Sequence, residues 1–130
     1  DEDSFSALAA QGGDTIVVER ARRDFPSLLA RARLSISQAG YNTVLDILHA
    51  GVPSVLVPFA QIKETEQQQR ADALVHHGRA VTVPERGLTP EALAKAADNA
   101  LVLPRRDIPV RFGGAETAAE RLLDALEARR

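Results

Sequence analysis

Short β-branched runs alternate with stretches of helical periodicity along most of this 130-residue chain, and this alternation limits the fold more than any other feature. Each run is followed by a turn signal and then by apolar residues at the three- and four-residue spacing of one helical face. Strands that alternate with helices are typical of a parallel sheet covered by helices on both faces, with right-handed crossovers. The sequence therefore predicts an α/β fold with four strands, at residues 15–18, 34–37, 54–58 and 80–84.

Cap and stop signals predict where the helices begin and end. Gly51 ends the second predicted helix, and Pro53 prevents its continuation. Thr89-Pro90-Glu91 combines an N-cap, a proline at the first helical position and an acid in the first turn. The predicted helices cover residues 25–33, 42–50, 64–77, 90–100 and 115–130.

Composition excludes several classes of function. The chain has no cysteine, which rules out disulfides and cysteine zinc sites. Its 16 basic and 18 acidic residues give a formal charge of −2, without the basic stripe that phosphate backbones require, so we expect no nucleic-acid partner. The longest apolar stretch, residues 54–60, is too short to span a bilayer, and a cytoplasmic location is expected.

In an open parallel sheet, ligands bind beyond the carboxyl ends of the strands. The loop after the second predicted strand holds Gly40 and leads into a helix whose N-terminal amides suit a phosphate. Asn42 and Thr43 could add donors, and Asp46, one turn further, could accept. Two ordinary interpretations compete with this one: Thr43-x-x-Asp46 as a capping box, and Gly40 as a plain tight turn.

The loop after the third predicted strand ends at the same edge if the two strands are neighbours. Glu66 and Gln67 at the head of the next helix suit sugar hydroxyls. In the ordinary interpretation, the acid offsets the helix dipole and the glutamine is a good helix former. His76 and His77 are adjacent and point about 100° apart on a helix, so they cannot chelate a metal together.

Five motifs follow one another along the chain. They are residues 38–46, Ala50-Gly51-Val52-Pro53, Val57-Pro58-Phe59, Glu66-Gln67-x-x-Arg70-Ala71 and Gly78. Together they resemble the donor-binding half of GT-B glycosyltransferases, and the resemblance spans residues 17 to about 100, in order and with natural spacing. The similarity is greatest to MurG-like enzymes, the glycosyltransferase family 28 C-terminal domain, and to predicted bacterial glycosyltransferases with a Gly-Tyr-Asn-Thr signature.

The resemblance implies a role for each matched residue of the first motif. The backbone around Gly40 and the side chains of Asn42 and Thr43 would hold the donor diphosphate, with Gln38 adding a neutral hydrogen bond where plant relatives have histidine. Asp46 matches the family's glutamate that binds the ribose hydroxyls, and it is one methylene shorter.

The fourth motif and the segment after the first predicted strand are implied to bind the rest of the donor. Glu66 and Gln67 match the pair that contacts the sugar and the diphosphate, and residues 21–23 would lie at the uracil pocket. The resemblance implies no metal and no cofactor, since the UDP-sugar is a substrate. It assigns no catalytic base here, because that residue belongs to an N-terminal domain absent from this sequence.

The implied fold is a Rossmann-like parallel sheet with about four of the six strands of a GT-B C-terminal domain. Residues 15–103 would be the donor-binding portion, preceded by an irregular segment at 1–14 and followed by a connection and an amphipathic helix at 104–130.

The implied function is the donor-binding portion of an inverting, metal-independent glycosyltransferase. It would transfer a hexose or an N-acetylhexosamine from a UDP-sugar to an unknown acceptor. An N-terminal acceptor-binding domain, or a partner chain, would complete the enzyme and could bring peripheral membrane association; the chain alone is expected to be inactive. Three alternatives stay open: a separate nucleotide-sugar-binding subunit, a non-catalytic module and a GT-B sugar-nucleotide epimerase.

Overall fold

A computed structural model describes residues 1–59 and 65–105 of the chain. Three short parallel strands alternate with helices in this part. In chain order the elements are α1 (Glu2–Gln11), α2 (Phe25–Arg31), β1 (Ser35–Ser37), α3 (Tyr41–Ala50), β2 (Ser54–Leu56), α4 (Glu66–His76), β3 (Ala80–Thr82), a 3₁₀ turn (Glu85–Gly87) and α5 (Pro90–Leu101).

The sheet has the order β1-β2-β3, so strands that follow each other in the chain are also neighbours in space. Both pairings are parallel; Ser35 lies opposite Ser54, and Ser54 lies opposite Ala80. The central strand is buried on both faces. Leu56 packs into the cluster formed with α3 and α4, whereas Val55 packs against α5 on the other face. The α/β prediction, with helices on both faces of a parallel sheet, is confirmed.

Local signals define the ends of the central helices as predicted. Gly51 and Gly78 follow α3 and α4 with φ values of 66° and 67°, a left-handed conformation that glycine adopts without a steric penalty. The Thr89 side chain caps α5 by accepting a hydrogen bond from the Ala92 N–H at 3.0 Å. The predicted helix at 115–130 lies outside the described residues.

The first predicted strand is wrong. Residues 15–18 form no strand, and the side chains of Ile16 and Val17 are 61% and 80% exposed. A β-branched run becomes a strand only when a neighbouring strand satisfies its backbone groups. In the described part of the chain the sheet ends at β1, and no neighbour is present for residues 15–18.

The segment predicted to be irregular at the N-terminus is also different. Its residues Glu2–Gln11 form α1, which begins with the Asp1 side chain accepting from the Ser4 N–H at 2.7 Å. The acids at the start of this helix complement its dipole. The Arg20 guanidinium lies over the Phe5 ring and pairs with Glu2, which holds the returning chain against α1.

A helix long and apolar enough to cross a bilayer does not occur among residues 1–59 and 65–105.

Arg105 joins the C-terminal ends of two helices on the side of the fold opposite the carboxyl edge of the sheet. Its guanidinium donates to the carbonyl oxygens of Ala30 and Ala32 at the end of α2, the latter at 2.8 Å, and to Ala50 at the end of α3 at 3.2 Å. A positive group at a helix C-terminus satisfies free carbonyls and complements the helix dipole.

We therefore expect Arg105→Met to lower the free energy of unfolding by about 1 kcal/mol, the magnitude of an exposed charge at a helix end. Urea unfolding followed by circular dichroism measures the change. Arg86→Met is the matched control, because Arg86 is exposed on the 3₁₀ turn. Equal stability of the two variants would contradict the capping role.

Candidate functional site

The two loops that the sequence singles out leave the same edge of the sheet. Residues 38–40 connect β1 to α3, and the connection from β2 to α4 begins at Val57; β1 and β2 are adjacent and parallel. A direct contact also links α4 to the first loop, since the Arg70 Nε donates to the Ala39 carbonyl oxygen at 2.9 Å. The expectation that the two strands are neighbours is confirmed, and a common opening of both loops stays a prediction.

The β1–α3 loop ends in an uncapped helix N-terminus. Gly40 is the N-cap residue of α3; its carbonyl accepts the Val44 N–H at 2.9 Å, but no side chain caps the helix. The first turn contains no acidic residue. The N–H groups of a first helical turn have no acceptor within the helix and carry its positive partial charge. This terminus can therefore hold an anion with backbone donors alone.

Neither ordinary interpretation of this loop fits the structure. The capping box fails because the N-cap is Gly40, so Thr43 lies inside the first turn. A tight turn does not explain the glycine, because Gly40 has φ −62° and ψ 149°, which any residue adopts. A Cβ at this position would meet only the Thr43 Oγ1, at 3.9 Å. Fold and packing therefore leave the position free for a larger residue, and the bare backbone fits close approach by a ligand.

The predicted diphosphate contacts lie along this segment. Gln38 and Asn42 are exposed on either side of Gly40, and Thr43 is half-buried at the third position of α3. All three residues lie within three positions of Gly40. The structure thus brings the four predicted residues to one helix terminus, and their contact with a ligand stays a prediction.

Asp46 follows one turn later on α3 and is partly buried. This burial raises the pKa of the Asp46 carboxyl above its ordinary value, and the nearby His49 opposes the rise. No hydrogen bond to the Asp46 carboxylate comes from the described residues. A carboxylate without such donors is free to accept from a ligand hydroxyl.

Gln67 at the head of α4 is oriented by the loop after β2. Its Oε1 accepts the Phe59 N–H at 2.8 Å. This bond occupies one lone pair of the amide oxygen and fixes the orientation of the side chain, while the NH₂ group can still donate. The contact of Gln67 with the sugar and the diphosphate stays a prediction. Glu66, beside it, is exposed, and its carboxylate lies 3.5 Å from the Arg70 guanidinium.

Comparison with known proteins agrees with this arrangement. The sequence profile of the glycosyltransferase family 28 C-terminal domain matches residues 3–109, most of the chain. The chain belongs to this family. It is a MurG-like, GT-B donor-type domain, as the motifs imply.

Two curated relatives of this family 28 domain carry the same name, UDP-N-acetylglucosamine--N-acetylmuramyl-(pentapeptide) pyrophosphoryl-undecaprenol N-acetylglucosamine transferase. The protein of Exiguobacterium sp. is 37% identical over 99 residues, which cover 75% of this chain and 28% of the relative. That of Rhodospirillum centenum is 34% identical over 128 residues, which cover 95% of this chain and 33% of the relative. The chain thus spans about a third of the length of these relatives.

A solved structure shares the fold of the family 28 domain. The crystal structure of the glycotransferase of kitacinnamycin superposes with a TM-score of 0.54 at 18% sequence identity. The match covers 98% of this chain and 34% of that one. At this identity the likeness concerns the fold alone.

Sequence reasoning about the family 28 domain missed the part that Arg70 takes. Arg70 belongs to the motif Glu66-Gln67-x-x-Arg70-Ala71, but the sequence assigned it no role. In the structure it is among the few polar side chains buried in the described core. The available signal was its position, four residues before the buried Leu74 and thus on the apolar stripe of α4. A basic residue on such a stripe needs an internal partner.

The segment expected at the uracil pocket and the two adjacent histidines have contacts of their own, and the uracil-pocket expectation stays a prediction. Arg22, in the segment expected at the uracil pocket, pairs with Glu19 at 2.6 Å and with Asp24 at 2.7 Å. This pairing lowers the pKa of the Asp24 carboxyl. The rings of His76 and His77 stand edge to face with centroids 5.2 Å apart, at the far end of α4 from Gln67.

Proposed function

We propose that this chain is the donor-binding portion of an inverting, metal-independent glycosyltransferase that takes a hexose or an N-acetylhexosamine from a UDP-sugar. The uncapped N-terminus of α3 carries this proposal. It offers backbone donors beside a glycine that the fold itself does not require. Family membership and the donor named for the two relatives, UDP-N-acetylglucosamine, support the same class of substrate.

The chemistry follows from the charge that develops on the leaving group. When the glycosidic bond breaks, the bonding electrons stay with the nucleoside diphosphate. Fixed N–H dipoles at the start of α3 stabilise that negative charge without reorganising. Asn42 and Thr43 add side-chain donors, and Gln38 adds a neutral one. Asp46 accepts from the ribose, while Glu66 and Gln67 contact the sugar and the diphosphate.

The acceptor and the catalytic base are supplied from outside these 130 residues. In this proposal an N-terminal acceptor-binding domain, or a separate partner chain, provides both. This chain covers only about a third of the length of the two relatives. That coverage supports a division of the donor and acceptor roles between two parts. The domain alone then binds donor without transferring sugar, and any association with a membrane comes through the acceptor-binding part.

Calorimetry with the chain tests the proposal. We expect UDP to bind at least about tenfold more tightly than UMP, because the β-phosphate adds charge-assisted hydrogen bonds at the helix terminus. Added EDTA should leave the UDP affinity unchanged, because the backbone amides replace a metal.

Equal affinities for UDP and UMP, or the absence of UDP binding, would overturn the diphosphate assignment. Loss of binding with EDTA would overturn metal independence alone. UDP release from UDP-N-acetylglucosamine by the chain alone would contradict the division of labour with an acceptor-binding part.

A further inference from the structure

Arg70 is the charged side chain buried in the described core, with 7% of the residue exposed. Removing a guanidinium from water is costly unless polar partners replace the water. The contacts that Arg70 makes therefore indicate what its burial achieves.

Those contacts lie on the two elements of the candidate site. Nε donates to the Ala39 carbonyl at 2.9 Å, just before α3. The guanidinium carbon lies 5.9 Å from the centre of the Tyr41 ring, at the first position of α3. One terminal nitrogen lies 3.5 Å from the Glu66 carboxylate, at the first position of α4. Arg70 thus links the starts of both helices.

The bond to Ala39 also fixes the direction of the next amide. In a planar trans peptide, the carbonyl and the following N–H point in opposite directions. The described chain has no cis peptide bond, so the Ala39 carbonyl directed at Arg70 turns the Gly40 N–H away from the core. The described residues provide no acceptor for this N–H.

We propose that Arg70 is a positioning residue that holds the Ala39–Gly40 peptide so that the Gly40 N–H joins the first-turn amides of α3 as a donor to the diphosphate. This inference deepens the proposed function and rests on it. Through the Glu66 contact, the same guanidinium also places a carboxylate beside the sugar position. Arginine suits the task because its planar fork reaches several acceptors at once, which an ammonium group cannot do in one geometry.

Nuclear magnetic resonance and calorimetry on the chain test this role with Arg70→Ala. We expect the Gly40 and Tyr41 amide resonances to shift, while those of β3 and α5 stay in place. Exchange of the Val44 amide, bonded to the Gly40 carbonyl at 2.9 Å, should rise. The dissociation constant for UDP should increase about tenfold, as expected for one lost charge-assisted contact.

Two further measurements separate positioning from a general loss of stability. Added guanidinium ion should restore the Gly40 and Tyr41 resonances of Arg70→Ala toward their native positions. Arg70→Lys, which keeps the charge, should show a smaller shift and decides the matter if Arg70→Ala does not fold. Arg86→Met, at an exposed arginine, should change neither spectrum nor affinity.

Unchanged Gly40 and Tyr41 resonances in a folded Arg70 variant would overturn the inference. Shifted resonances with native UDP affinity would do the same, since the aimed amide would then not serve the ligand. If the unaltered chain does not bind UDP, the proposed function fails, and the resonances still decide whether Arg70 holds the peptide.

Discussion

Gly40→Ser is expected to weaken UDP binding by about a hundredfold or more, because losing close approach removes at least two charge-assisted hydrogen bonds to the diphosphate. The added Cβ meets nothing in the fold nearer than the Thr43 Oγ1, at 3.9 Å. Serine is also a favourable N-cap residue, so the free energy of unfolding should stay equal or rise slightly. Gly40→Ser is thus expected to lose UDP affinity without losing stability.

Calorimetry with UDP and urea unfolding measure the two quantities. Gly87→Ser is the matched control, because a Cβ at Gly87 also enters open space and the residue belongs to neither loop of the candidate site. The control should bind UDP as the unaltered chain does. Native UDP affinity in Gly40→Ser would show that no ligand approaches this backbone and would remove the main support of the proposed function.

Replacing Asp46 with alanine should weaken UDP binding about tenfold or more, because a hydrogen bond between a carboxylate and a ribose hydroxyl contributes about 1.5–3 kcal/mol. The fold should not lose stability, since burial already disfavours the charged form of this side chain. Affinity for inorganic phosphate should change less than affinity for UDP, because phosphate has no ribose. Asp98→Asn on α5 serves as an exposed control.

The raised pKa of Asp46 gives a second measurement. Only the ionised carboxylate makes the charge-assisted bond, so UDP affinity should fall as the pH drops through the pKa of Asp46, which burial raises above its ordinary value. Asp46→Asn should lack this part of the fall and keep only the part caused by titration of UDP itself. An identical pH dependence in both proteins, or native UDP affinity in Asp46→Ala, would contradict the ribose assignment.

Asp46 affects the free energy of unfolding with the opposite pH dependence from its effect on UDP affinity. An acid whose pKa is raised by folding binds its proton more tightly in the folded state. Its neutral form therefore favours folding below the ordinary aspartate pKa, and this contribution is lost as the pH rises through the raised value.

Features with a local cause could be predicted from the sequence. Gly51 ends α3, and Thr89 with Pro90 begins α5, because caps and stops act within a few residues. The parallel pairing of β1, β2 and β3 also followed, since strands joined by single helices run parallel.

Features that depend on distant partners could not be predicted. Residues 15–18 have strand composition, but no neighbouring strand pairs with them in the described part of the chain. The role of Arg70 depends on a carbonyl 31 positions earlier in the sequence. The bond between the Gln67 side chain and the Phe59 N–H likewise joins groups eight positions apart in the sequence. Side-chain pairing across the fold decides such cases, and no local pattern encodes it.

The uncapped start of α3 has a consequence for altering this domain. Its amide donors belong to the main chain, and substitution leaves main-chain groups in place. Variation at Glu66, the exposed residue assigned to the sugar, can therefore be screened for new donor preferences while the anchoring of the phosphates is kept, provided that position 40 carries no side chain. A library at this position would separate which nucleotide sugar is chosen from whether one is held at all.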